Sequence, residues 1–378
     1  IKASAIRITA QESCHHSCDC RFGFGRTRSL GCDHVSTGGT NMNARPVILH
    51  LVDDATAGGV MRVVEFIRTS ADMATFGEHR VLHVKRGTLI AKPFDADILV
   101  SHLAVSWRSL PALLAMRASN ASKPFLHIEH SYTEAFVALN VQNKRRFAAL
   151  LKVSFSIFDH IIAVSEAQAE WIKSRGLCAP QKITTIQSCV NLEAFRNLTA
   201  PHGPVRVFGA IGRLDFQKGF DSLIVAFRAC KNPELRLHIF GEGDQEPMLR
   251  QLAGDDERIV FRGFAADPVT ALAQVDAVVM PSRWEAYGLV AIETLSAGRH
   301  LICADIDGLN DHVRGGAMVF RGGSINDLKQ VMTDLVADKD AAGNLSPYRQ
   351  GRLLEERFLQ GWTETLDLIG NRRAAVRA

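Results

Sequence analysis

From Val47 onward, short apolar runs alternate with stretches of helical spacing, a pattern that few folds accept. "VILHLV" (47–52) is followed by the glycine stretch "AGGV" and then by "MRVVEFIRTSA" (61–71), which reads as strand, glycine loop, helix. The alternation continues with strands at "RVLHV", "DILVSH", "PFLHIEH" and "HIIAVS", and with helices at "RSLPALLAMRA", "KRRFAALLKVSFSIF" and "EAQAEWIKSRG". Runs that are apolar throughout and separated by helices predict a parallel sheet covered on both faces. After "KITTI" the segment "NLTAPHGP" breaks the pattern with Asn, Pro and Gly, and a domain boundary is expected there. The second half repeats the theme, with strands at "VRVFGAIG", "LRLHIFG", "IVFRG", "AVVMPS" and "HLICAD" and helices at "FDSLIVAFRAC", "EPMLRQLAG", "VTALAQV" and "LVAIETLSA". The expectation is an α/β chain of two doubly wound, Rossmann-like domains, 46–200 and 201–352, facing each other across a cleft. The tail 353–378, with Leu353, Leu354, Phe358, Trp362 and Leu366 at helical spacing, is long enough to cross back to the first domain. Ligands of such sheets sit outside the carboxyl ends of the strands, so the cleft is the expected site.

Composition agrees with two globular domains: 378 residues, 47% hydrophobic and 22% charged, exclude a mainly disordered chain. A net charge of +4 suits anionic ligands and falls short of a nucleic-acid-binding signature. No apolar run has the length of a membrane span, and a cytoplasmic protein is expected. Residues 1–45 show neither period and are read as a leader outside the fold, either translated from upstream of a start at Met42 or a transit peptide. "CHHSCDC" within it, with His34 beyond, lacks a paired C-x-x-C, and no metal site is expected.

The stretch "RWEAYGLVAIET" (283–294) then draws attention, because it places Glu285 and Glu293 among apolar and small residues. Glu285 falls in the loop after the strand "AVVMPS" and Glu293 within the helix that follows. Eight helical residues separate directions by about 80° and heights by about 12 Å, so the two acids suit two ends of one ligand rather than one metal. Amides near Gly288, Leu289 and Val290 open that helix and favour a phosphate. Hydroxyls at both ends with phosphate between them describe a nucleotide sugar. In "AIGRLDFQKGF" a strand ends at Gly212, with Arg213 and Lys218 in the loop behind it, two cations placed to neutralise a diphosphate.

These residues resemble the retaining nucleotide-sugar glycosyltransferases of family 4, with the two-domain glycosyltransferase-B fold, over nearly all the chain from Val47. The resemblance implies that Glu293 binds the ribose hydroxyls, that Glu285 lies by the donor sugar, and that Arg213 and Lys218 hold the diphosphate. It further implies that Gly58 and Gly59 form a loop approaching phosphate and acceptor, and that His130 in "IEHSYTEAF" lies beside the reacting sugar. Gly241, Gly243 and Phe264 would neighbour the base. The donor is expected to be a UDP- or GDP-linked sugar, used as substrate with no cofactor, and the acceptor a saccharide or a lipid-linked species of cell-surface polysaccharide, lipopolysaccharide or glycolipid synthesis. The chain departs from the family pattern at Ser188 to Asn191, at Arg299 and His300, and in "DIDGLNDHV", where Asp307 replaces a glycine and Asp311 a glutamate.

The rival readings are a nucleotide-sugar epimerase on the same fold and a non-catalytic sugar-nucleotide-binding module. The triplets Asp95/Asp97 and Asp305/Asp307 invite a metal, but the phosphate constellation needs none. The basic helix with Lys144, Arg145, Arg146 and Lys152 beside Phe147, Leu150, Leu151 and Phe155 is either core-facing with a solvated face or a peripheral contact with anionic membrane.

Overall fold

The computed structural model describes residues 45–54, 58–338 and 346–377, with side chains to 372; the expected leader, apart from Arg45, and its cysteine cluster lie outside them. Strands β1 (Val47–Val52), β2 (Glu78–His83), β3 (Ile98–Ser101), β4 (Phe125–Glu129), β5 (His160–Ala163) and β6 (Ile183–Thr185) form one sheet in the order β2-β1-β3-β4-β5-β6. A second sheet takes β7 (Val207–Ile211), β8 (Arg236–Phe240), β9 (Ile259–Gly263), β10 (Ala277–Met280), β11 (His300–Ala304) and β12 (Met318–Phe320) in the order β12-β11-β10-β7-β8-β9. Every strand pair is parallel, as the buried apolar runs require. Each sheet reverses direction next to its first strand, β1 or β7, which places the two switch points where the carboxyl ends leave room for a ligand.

Alternation sorts side chains to the two faces. Leu49, Leu51 and Leu99 join the core under the outer helices of the first sheet. Ile48 and Val100 belong instead to a core that also takes in Val278, Leu295 and Leu301 of the second half and Phe358 and Trp362 of the tail. The tail forms one helix, Leu353–Arg377, packed on the first half: Phe358 meets Phe66 at 5.6 Å between rings, Trp362 meets His50 at 6.3 Å, and Glu355 takes a two-pronged bond from Arg196 at 2.7 and 3.2 Å.

Several elements go beyond the expected set, among them the short helices Glu134–Asn140 and Glu193–Arg196. β12 is three residues long and lies at the sheet edge, too short for a periodic signal. The helix Ile325–Ala337 buries Leu328, Met332 and Leu335, spaced four and three apart as a helical face requires. The helix Lys144–Ile157 turns Leu150, Leu151 and Phe155 inward and leaves Lys144, Arg145 and Arg146 exposed, with the Arg146 guanidinium 5.8 Å from the centre of the Trp107 ring. Among the described residues no helix is long and apolar enough to cross a membrane.

Candidate functional site

β7 and β10 are neighbours in the second sheet, so the loops leaving their carboxyl ends lie side by side. Hydrogen bonds join them: Arg283 N donates to Gln217 O at 2.7 Å, and the Gln217 side-chain Nε2 donates to Trp284 O at 3.0 Å. This brings Lys218 onto Glu285, with Nζ 2.5 Å from Oε2 and both side chains mostly buried. Gly288 caps the next helix, Leu289–Ser296, at φ 91°, and a Cβ there would meet Met280 at 3.0 Å, Leu309 at 3.1 Å and Glu285 Cγ at 3.3 Å. Only glycine fits both demands. The helix start carries no side-chain cap, and its first amides remain available to an anion.

Glu293, one turn further, is 1% exposed, and burial pushes its carboxyl above the ordinary range. Arg62 reaches it from the first half, Nη2 lying 2.5 Å from Oε1, yet neither carboxylate oxygen receives a well-directed hydrogen bond. Buried acceptors are normally filled, so this carboxylate has unused capacity for donors. The glycine loop lies on the same side: Gly58 caps the helix Gly59–Thr69, and the Cβ position of Gly59 is 3.6 Å from Leu289.

Two departures in "DIDGLNDHV" find their explanation here. Asp307 holds a left-handed φ of 39°, the only non-glycine residue with positive φ among those described. Its carboxylate accepts from Thr133 Oγ1 at 2.6 Å, Ala135 N at 3.1 Å and Glu285 N at 3.3 Å, and so ties β4's outgoing loop to the Glu285 loop. Asp311 accepts from Glu166 N at 2.8 Å and Gln187 Nε2 at 2.7 Å. Both aspartates fasten one half to the other. A cavity of about 660 Å³ opens beside Asp311, lined among others by Glu166, Lys173, Arg314 and Arg357, and none of the anticipated site residues borders it.

The remaining anticipated residues divide. Arg213 is largely exposed and pairs with Asp215 at 3.1 Å, so each of the two cations expected to be waiting for a diphosphate already carries an acid. A Cβ at Gly241 would fall onto the Gly212 carbonyl, and one at Gly243 onto that of Leu214, so these glycines let the β8 loop lie against the Arg213 loop. Phe264, just past β9, is 63% exposed. His130 follows β4 and bonds through Nε2 to His102 Nδ1 at 2.9 Å. Arg62, Thr133, His50, His79 and His102 were not anticipated; Arg62 alone had a local signal, four residues past Gly58 on the same helix. Among the described residues no three His, Cys, Asp or Glu side chains gather as a metal site would need.

Burial holds His50 and His130 neutral, lowering them to about 3 and about 4 from 6.5, and does the same to His160 at the start of β5, lowered to about 4. Between those values and 6.5 the fold binds fewer protons than the unfolded chain, so its stability rises with pH across that window and is complete above it. At about 1.4 kcal/mol per unit, acidification toward pH 4 is expected to remove on the order of several kcal/mol. Denaturant midpoints that stay level between neutral pH and pH 4.5 would contradict this.

Comparison with known proteins agrees with the fold. The model of the family "Glycosyltransferase Family 4" matches residues 43–194, and that of "Glycosyl transferases group 1" matches residues 205–338. A glycogen synthase of Thermus thermophilus is 35% identical over 136 residues, 35% of this chain and 30% of that protein. The phosphatidylinositol N-acetylglucosaminyltransferase gpi3 subunit of Schizosaccharomyces pombe is 25% identical over 253 residues, 65% of this chain and 54% of that one. The chain thus spans about a third to a half of the length of these curated relatives. Among solved structures, Anabaena HepE in complex with UDP-glucose superposes with a TM-score of 0.65 at 18% identity, covering 85% of this chain and 99% of that one. The likeness carries the fold: two Rossmann-like domains in the glycosyltransferase-B arrangement.

Proposed function

We propose, from the premise that the chain belongs to the group 1 glycosyltransferases of family 4, that it moves a sugar from a nucleotide diphosphate to a hydroxyl acceptor with retention at the anomeric carbon. Glu293 takes the ribose hydroxyls and Glu285 stands by the donor sugar. Lys218 exchanges its bond to Glu285 for the diphosphate, joined by Arg213 and the amides of Gly288, Leu289 and Val290. The bond from the anomeric carbon to the phosphate oxygen breaks, a bond to the acceptor oxygen forms on the same face, and the acceptor's proton leaves on the phosphate. Negative charge developing on the diphosphate is met by preorganised donors of this chain. The observation that carries the reading is Glu293, a carboxylate buried at the junction of the two halves, held through Oε1 by Arg62 of the first half and with Oε2 left open to a donor.

UDP-glucose in the HepE structure supports a uridine-linked donor, and the gpi3 relative, named for phosphatidylinositol, supports a lipid acceptor; a saccharide acceptor fits the synthase relatives. The test is thermal stabilisation by UDP, GDP and ADP without added metal, since a ligand that binds only the folded state must raise its stability. One nucleotide is expected to raise the melting temperature. A folded sample indifferent to all three would overturn the donor site.

A further inference from the structure

Four histidines lie on four adjacent strands or their immediate exits, in the sheet order β2-β1-β3-β4: His79, His50, His102 and His130. His79 pairs with Ile48, two residues before His50, and His50 pairs with Val100, two residues before His102. Ser101 pairs with His127, so His102 stands level with Ile128, two residues before His130. A step of two per strand keeps every ring on one face and moves the line toward the carboxyl ends, where the cleft is.

The rings are joined throughout. His79 Nε2 lies 3.1 Å from Met73 O, His79 Nδ1 lies 2.9 Å from His50 Nε2, His50 Nδ1 lies 3.0 Å from His102 Nε2, and His102 Nδ1 lies 2.9 Å from His130 Nε2. A carbonyl oxygen only accepts, so His79 must carry its proton on Nε2 and accept at Nδ1. Each neutral ring then passes the same polarity to the next. His50 donates through Nε2 to His79, His102 through Nε2 to His50, and His130 through Nε2 to His102. The last ring is left with Nδ1 as a lone-pair acceptor that has no partner among the described residues. The reverse polarity would press an imidazole lone pair against the Met73 carbonyl.

We propose that His79, His50 and His102 are positioning residues that hold His130 as the Nε2–H tautomer, so that its Nδ1 accepts a hydrogen bond from a hydroxyl of the sugar or acceptor in the cleft. The role for Nδ1 rests on the transferase reading above; the polarity of the line does not. His50 is fully buried under Trp362 and His102 nearly so, and burial keeps both neutral, as a one-way line requires. The other titratable groups facing His130 are Glu129 and His127, and Glu129 is already engaged by the amides of Ser131 and Tyr132 at 2.8 and 3.0 Å.

Long-range ¹H–¹⁵N correlation spectra of the whole protein labelled in histidine, at neutral pH and without ligand, test the line directly. His130 is expected as Nε2–H over Nδ1–H by at least about tenfold, the ratio that one misdirected hydrogen bond produces. His79→Leu, at the far end of the line, is expected to bring that ratio toward parity and to slow turnover. His79→Gln, whose amide donates to Met73 O while its oxygen accepts from His50, is expected to restore both. A wild-type His130 found as Nδ1–H, as a mixture or as imidazolium overturns the proposal, and so does an unchanged ratio in His79→Leu. Should that variant fail to fold, the wild-type and His79→Gln spectra decide. UDP, GDP and ADP are then added: absence of any response to all three would remove the transferase reading while leaving the tautomer result standing.

Discussion

Glu293→Gln is expected to weaken nucleotide binding by roughly 100- to 1,000-fold while leaving the folded protein as stable as before, or more so. Hydrogen bonds to a charged group contribute about 1.5–3 kcal/mol each, and two ribose hydroxyls on one carboxylate reach that loss at about 1.4 kcal/mol per tenfold. In the free protein the same carboxylate is buried, and burial pushes it above its ordinary 4.5 in spite of the Arg62 guanidinium 2.5 Å from Oε1. Between 4.5 and its raised value the fold holds more protons than the unfolded chain, so stability falls as pH rises through that window, and removing the charge relieves the cost. Hydroxyl donors favour the charged form, so binding should release protons in that window and tighten as pH rises. Calorimetric titration in buffers of different ionisation heat measures affinity and proton release together. A Gln variant that binds UDP and GDP as the wild type does would remove Glu293 from the donor site.

How much of this was legible depended on whether a feature is local. β1, β4, β5 and β10 announced themselves because a strand buried on both faces is mostly apolar, and "VILHLV" or "AVVM" leaves little choice. Glu285, Gly288, Arg213 and Lys218 were legible because strand ends in a doubly wound sheet point to one edge. Their pairing was not, since the contact of Lys218 with Glu285 depends on β7 lying beside β10, an order no local pattern records. The histidine line shows the same limit: His50 inside an apolar run gives no hint that its neighbours are His79 and His102, from strands 29 and 52 residues away. Asp307 was noticed as a departure, but its consequence needed the partner loop at Thr133 and Ala135, 174 and 172 residues distant. A glycine at that position would accept φ 39° without strain and would forfeit the carboxylate that ties the halves.

Lys218→Ala is expected to lower kcat by about 100- to 1,000-fold with a smaller change in the KM for the donor, the loss typical of removing one preorganised donor from a developing oxyanion. The same change leaves Glu285, only 13% exposed at its side chain, without its cation, and an uncompensated buried acid costs stability on its own account. The two effects separate in a cycle. Glu285→Gln added to Lys218→Ala removes the stranded charge and should return the denaturant midpoint most of the way to wild type, because neighbouring substitutions are not additive. It should not return kcat, since the diphosphate still lacks its cation, and Lys218→Arg should keep part of the rate by keeping the charge. If the double variant recovered turnover along with stability, Lys218 would be a residue that holds the Glu285 loop in place. The charge on the leaving group would then have to be met by Arg213 and the amides of the helix that begins at Leu289.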